Sequence, residues 1–161
     1  MDLYLDKIHK MNLKKLLFLA LVIGLFTSCS KEDPIVSIEQ FIEDNNLDAQ
    51  MTPEGLYYVI DKEGTGQRPT STDDVLAQYR GTLLNGTVFD SRWGDDPSNA
   101  VEFNLQRVIP GWTIGIPLFK EGGEGMLIIP PNLGYGDFPP PGSIIGRNEV
   151  LIFEVRLFEV R

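Results

Sequence analysis

One cysteine, Cys29, and one histidine, His9, are all that this 161-residue chain offers to thiol, imidazole or zinc chemistry. A zinc site built from several Cys and His ligands is therefore excluded, and so is a disulfide within the chain. A Ser–His or Cys–His nucleophile would depend on His9 alone. Gly64-Thr65-Gly66 and Gly122-Gly123-Glu124-Gly125 lack the Lys-Ser/Thr of a phosphate loop and mark turns. The acidic pairs Asp73-Asp74 and Asp95-Asp96 lie in turn-rich stretches and read as solvated charge, not as a catalytic or calcium pair. What remains is aromatic and aliphatic, which suits chemistry that needs neither nucleophile nor metal. No cofactor is expected.

The charge balance narrows the partners. Fourteen Lys and Arg stand against 23 Asp and Glu, a net charge of −9. Binding nucleic acid requires clustered Lys and Arg to neutralise phosphates, so this balance argues against it. With 42% hydrophobic and 23% charged residues, the composition is that of one globular domain with a real core.

The first thirty residues read as an address. Leu16 to Phe26 is an eleven-residue apolar run preceded by Lys14 and Lys15. A membrane span needs about 20 apolar residues, so the run is too short to cross a bilayer. A basic start, a short apolar stretch and then small residues form a secretory signal peptide, here residues 1–28. Asp2 and Asp6 are unusual ahead of such a leader, and Met11 makes a cleaner start than Met1. Phe26-Thr27-Ser28-Cys29 resembles a bacterial lipobox, which makes Cys29 the lipidation site and first mature residue. Phe26 departs mildly from the usual Leu. Ser30-Lys31-Glu32-Asp33 fits either a surface-export signal or a short solvated tether. The expected location is the envelope of a Gram-negative bacterium, lipid-anchored at the outer membrane, on its periplasmic face or the cell surface. Removing residues 1–28 takes away four Lys, two Asp and His9, leaving 133 residues with a net charge of −11.

Downstream, Asp33-Pro34 opens a short helix, with Ile35, Ile38, Phe41 and Ile42 at helical spacing and Asn45-Asn46 as the stop. A helix of about ten residues is marginal alone and must dock. Residues 29–51 thus form a lipidated tether and short helix, and residues 52–161 the working domain. There, short strands are predicted at Leu56–Ile60, Val75–Leu84, Asn99–Leu105, Met126–Ile129 and Val150–Val160. Asn85-Gly86 is a hairpin turn. A second short helix starts at Pro110-Gly111-Trp112 and reaches about Phe119, with Pro117 expected to kink or shorten it. The fold class is α+β, mostly antiparallel.

Several blocks then occur in order: Tyr79-Arg80-Gly81; Asn85-Gly86-Thr87-Val88-Phe89-Asp90-Ser91; Val108-Ile109-Pro110-Gly111-Trp112; Lys120-Glu121-Gly122-Gly123; Ile129-Pro130-Pro131 with Leu133-Gly134-Tyr135-Gly136; and Leu151-Ile152-Phe153-Glu154-Val155. Across residues 52–160 the chain resembles the FKBP-type peptidyl-prolyl cis-trans isomerases. The resemblance implies a twisted antiparallel sheet half-wrapped around the helix after Trp112. It also implies an isomerase for X–Pro bonds, acting on proline-containing polypeptides of the exported or envelope class, and a site for macrolide inhibitors. A monomer is expected.

The implied chemistry fits the composition. The amide's partial double bond sets a barrier of about 18–20 kcal/mol, and turnover only requires the twisted amide to be favoured over the planar one. By this resemblance Trp112 is the pocket floor, and Tyr79, Phe89, Val108, Ile109 and Phe153 are walls. Val101 falls where the family is often aromatic. Tyr135 offers its hydroxyl to a substrate carbonyl, Asp90 faces the twisting amide, and Ile109 lends its backbone N–H. Arg92 stands near enough in sequence to pair with Asp90. The loop 137–147 departs from the family's I-P-P-N approach to the last strand; Ile144 and Ile145 are its apolar candidates, and Pro139-Pro140-Pro141 should stiffen it. The departure motivates an alternative, a peptide-binding or chaperone lipoprotein that uses the same pocket with weak or no isomerase activity.

Overall fold

Turn chemistry sets the strand boundaries. A computed structural model describes residues 34–161 of the chain. The expected signal peptide, with His9, and the expected lipidation site Cys29 and Ser30–Asp33 segment lie outside the described residues. Helix α1 (Pro34–Asp44) is followed by β1 (Gln50–Met51), β2 (Tyr57–Lys62), β3 (Asp74–Leu83), β4 (Val88–Arg92) and β5 (Val101–Asn104). Helix α2 (Pro110–Gly115), β6 (Glu124–Ile129) and β7 (Leu151–Val160) complete the chain. Asn85-Gly86 makes the β3–β4 turn as expected: Gly86 has a φ of 80°, and its N–H donates to the Leu83 carbonyl at 2.9 Å. The two-residue β1 has no signal of its own; it exists by pairing with β2.

All strand pairs are antiparallel, in the order β1-β2-β6-β7-β3-β4, with β5 also pairing with β3. β3 and β7 are the long central strands, paired from Val75↔Val160 to Leu83↔Leu151 with one register shift between Leu76 and Ala77. Alternation along them separates two apolar faces. One face carries Val75, Tyr79, Leu83, Leu127, Ile129, Leu151, Phe153, Val155 and Leu157, and α2 packs against it through Trp112 and Ile116. The other carries Ile128, Val150 and Ile152, and α1 docks there through the fully buried Ile38, with Phe41 and Ile42 beside it. Docking is what stabilises an eleven-residue helix. Of the expected apolar stripe, Ile35 instead remains 53% exposed.

Helix α2 lies close on the sheet because two of its six residues lack side chains. A Cβ on Gly111 would meet Ile129 at 2.6 Å, and one on Gly115 would meet Leu127 at 2.7 Å. Pro110 occupies the first turn, where the missing N–H costs nothing. Pro117 acts as expected: the α-helix ends at Gly115 and one 3-10 turn, Ile116–Leu118, follows. Arg68 then donates to the Pro117 and Leu118 carbonyls, closing the helix's C-terminal end.

Glu121 fastens the chain end. Its carboxylate accepts from the Val160 N–H at 2.7 Å and from the Gln67 N–H at 3.1 Å. The acidic pairs do local work: Asp73 accepts from Thr70 N–H and Oγ1, and Asp96 accepts from the Ser98 N–H.

Candidate functional site

The concave face of the sheet is not filled completely by α2. Beyond Trp112 an open cleft of about 790 Å³ remains, lined chiefly by aromatic and aliphatic side chains. Helix α2 presents Trp112 as its floor, 4% exposed. Tyr79, Phe103 and Phe153 meet the indole edge-to-face, at centroid distances of 5.5, 4.9 and 5.4 Å. Phe89 meets Phe153 in the same manner at 5.4 Å. Each such pair adds about 0.5–1.5 kcal/mol beyond area burial, so the floor and walls hold one another in place. The indole N–H has no hydrogen-bond partner among the described residues.

A bulge brings Phe89 and Asp90 to the cleft together. Along β3–β4 the register runs Gly81↔Asp90 and then Thr82↔Val88, which leaves Phe89 as the extra residue. Strict alternation would send neighbours to opposite faces, and the bulge re-aims one of them. Gly81 makes the room, because a Cβ there would lie 2.5 Å from the Phe89 ring.

The polar groups are few. Asp90 Oδ2 accepts from the Tyr79 hydroxyl at 2.6 Å, and Oδ1 accepts from the Ser91 N–H at 2.8 Å. Arg92 does not pair with Asp90; its guanidinium donates to the Ser91 carbonyl at 3.2 Å. Burial first, then the Asp90 hydrogen bond and charge, hold the Tyr79 phenol well above its usual value near 10.0. Burial and then the charge of Asp90 also raise Tyr135. The Tyr135 hydroxyl and the Ile109 N–H make no hydrogen bond among the described residues, so both are free to meet a ligand.

Of the expected site residues, Tyr79, Phe89, Asp90, Val108, Ile109, Trp112, Tyr135, Ile145 and Phe153 line the cleft. Two do not. Val101 stays opposite Ala77 in the β3–β5 ladder, and Phe103, two residues on along the same strand face, supplies the wall. Ile144 points outward, 59% exposed, whereas Ile145 is buried. The loop 137–147 is closed at its base by Asn148, whose side chain donates to Asp137 at 2.7 Å and whose N–H donates to Gly136. Its prolines do not form one extended rod: Ser143 N–H donates to the Pro140 carbonyl and turns the loop, so Pro140 and Ser143 reach the cleft. Phe103, Arg107, Pro110, Pro140 and Ser143 were not anticipated. Phe103 has a signal in its place on the Val101, Phe103, Leu105 face, and Pro110 in the Val108–Trp112 block.

A half-wrapped antiparallel sheet with an aromatic cleft beside its short helix defines an α+β class of cleft-bearing domain. Residues 65–158 match the FKBP-type peptidyl-prolyl cis-trans isomerase family, and the chain belongs to it. It is 43% identical over 124 residues, 76% of this chain and 44% of the relative, to the probable FKBP-type peptidyl-prolyl cis-trans isomerase FkpA of Neisseria meningitidis serogroup B. It is 40% identical over 109 residues, 68% of this chain and 46% of the relative, to the outer membrane protein MIP of Legionella longbeachae. The crystal structure of FkpA from Escherichia coli superposes with a TM-score of 0.70 at 28% identity, covering 100% of this chain and 73% of that one. The chain spans less than half the length of these curated relatives.

Proposed function

We propose that this protein is a peptidyl-prolyl cis-trans isomerase acting on X–Pro bonds of exported or envelope proteins. The observation that carries the reading is the aromatic cleft floored by Trp112, in which Asp90 is already held and Tyr135 is not. A proline ring placed on the indole leaves its preceding amide among Tyr79, Phe89, Phe103 and Phe153. Twisting that amide moves charge from the carbonyl oxygen back to nitrogen, and the less polar twisted form is the better guest of an apolar wall. The free Tyr135 hydroxyl and Ile109 N–H are donors for the peptide's carbonyls and fix its orientation. Every ~1.4 kcal/mol of preference for the twisted state is tenfold in rate, and no proton or covalent transfer is required.

The same reading places the protein in the bacterial envelope, anchored through Cys29, as a monomer that binds proline-containing clients and macrolide ligands. The alternative of a pocket with little turnover is not favoured, because the unusual 137–147 loop still delivers Ile145 to the cleft. A protease-free tetrapeptide assay tests the activity. Turnover is expected in the wild type, with kcat/KM at least about tenfold lower in Trp112→Leu. Undiminished rates in both Trp112→Leu and Phe89→Ala would overturn the assignment.

A further inference from the structure

Two charged side chains line the cleft, Asp90 and Arg107, and they differ in what they already hold. Asp90 accepts from the Tyr79 hydroxyl and the Ser91 N–H. Arg107 sits in the turn between β5 and α2, immediately before the wall residues Val108 and Ile109. Its backbone is fixed, its N–H donating to the Asn104 carbonyl at 2.9 Å. Its side chain is exposed and makes no hydrogen bond or ion pair among the described residues. Elsewhere in this acidic chain, Lys62, Arg68, Arg80, Lys120, Arg156 and Arg161 each meet a carboxylate. Arg92 and Arg147 also lack a carboxylate partner among the described residues, but neither lines the cleft. Among the described residues, the cleft lining therefore carries one cation, exposed and with its side-chain donors unused, next to the wall residues Val108 and Ile109.

We infer that Arg107 is a specificity-determining residue: it selects proline peptides with a carboxylate side chain next to the proline and disfavours those with an ammonium there. The inference rests on the isomerase reading above and names its preferred substrate class. A guanidinium presents a planar fork that matches a carboxylate with two parallel hydrogen bonds. The exposed position keeps the effect modest, but attraction to Glu and repulsion of Lys act in the same direction, giving about a fivefold ratio. The contact is the same for planar and twisted amides, so the preference belongs in KM and not in kcat. High salt screens it, since the Debye length falls to about 3 Å at 1 M.

The test uses the full chain and two sets of tetrapeptides, alike except for Glu, Leu or Lys immediately before the proline in one set and immediately after it in the other. In at least one set, the Glu-to-Lys ratio of kcat/KM is expected at about fivefold, carried by KM and shrinking in high salt. Arg107→Glu should reverse the ratio, and Arg107→Lys should retain part of it. A ratio equal in wild type and Arg107→Glu in both sets overturns the inference, as does an equal loss across all peptides. If no peptide turns over, the isomerase reading fails by itself. Equilibrium binding of the same peptides, followed by tryptophan fluorescence, then decides the charge preference separately.

Discussion

The Tyr79 hydroxyl donates to Asp90 Oδ2 at 2.6 Å, crossing the bulged β3–β4 ladder at the wall of the cleft. The bond ties a core residue, 9% exposed and in edge contact with Trp112, to a carboxylate that lines the cleft. Asp90 is thereby held from one strand by side chain and from its own strand by the Ser91 N–H. Tyr79→Phe removes the donor while leaving the ring contacts. We expect a loss of about 1–2 kcal/mol in urea unfolding, with kcat/KM on a neutral tetrapeptide falling several-fold. Unchanged turnover would mean that Asp90 needs no positioning from Tyr79.

Gly81 is the second lever on the same wall. An added methyl would lie 2.5 Å from two ring carbons of Phe89 and 3.1 Å from Phe153. Gly81→Ala must push Phe89 off its edge contact, so a cost of about 1–3 kcal/mol is expected, together with reduced turnover. A crystal structure of the variant should show the Phe89 ring displaced towards the cleft; an unmoved ring would refute the argument.

The pH profile follows from the phenols. Tyr79 and Tyr135 both have folded-state values raised above the usual one near 10.0, by burial first in each case. A raised folded value means that their contribution to stability is fully present below about pH 10 and is lost as pH rises through the folded values. Residues 34–161 contain no His and no Cys. Turnover should therefore be flat from about pH 6 to about pH 9, with stability declining only above about pH 10. A bell-shaped kcat/KM centred near neutrality would contradict a mechanism without proton transfer.

Arg156 tests the back of the sheet. It pairs with Glu124 at 3.1 Å, lies 4.3 Å from the Trp93 ring centre and donates to the Gly94 carbonyl at 3.4 Å. Beside it the buried Gln78 donates to the Asp96 carbonyl at 2.7 Å. Together they pin the β4–β5 connection, which joins Phe89 and Asp90 on one side to Phe103 on the other. Arg156→Ala should cost about 1–2 kcal/mol and speed amide exchange at residues 94–96. Arg156→Lys should recover only part of this, because an ammonium lacks the planar fork.

Trp112→Ala is a poor probe of the cleft for a related reason. The residue is both floor and core, and its truncation costs about 3–5 kcal/mol, a large share of the 5–15 kcal/mol typical of a domain. The sequence motif around Trp112 announces a pocket residue, but not that the pocket floor is also structural support.

Local rules were enough for the features that depend on near neighbours. Asn85-Gly86 specifies its turn because few residues accept the required φ, and Pro117 ends α2 because it has no N–H to donate. Strand positions followed from alternation, and the ordered blocks around Tyr79, Trp112 and Tyr135 marked the family and most of the cleft. Tertiary structure alone decided the rest. Alternation with period two places Val101 and Phe103 on one face, so it cannot say which reaches Trp112; ring size and the β3–β5 register do. It also cannot foresee the bulge that turns both Phe89 and Asp90 into the cleft, because a bulge exists only between two paired strands. Neither the pairing of Arg156 across the sheet nor the lack of a partner for Arg107 among the described residues is written in neighbouring residues. Both depend on which carboxylates, tens of positions away in the chain, the fold brings within reach.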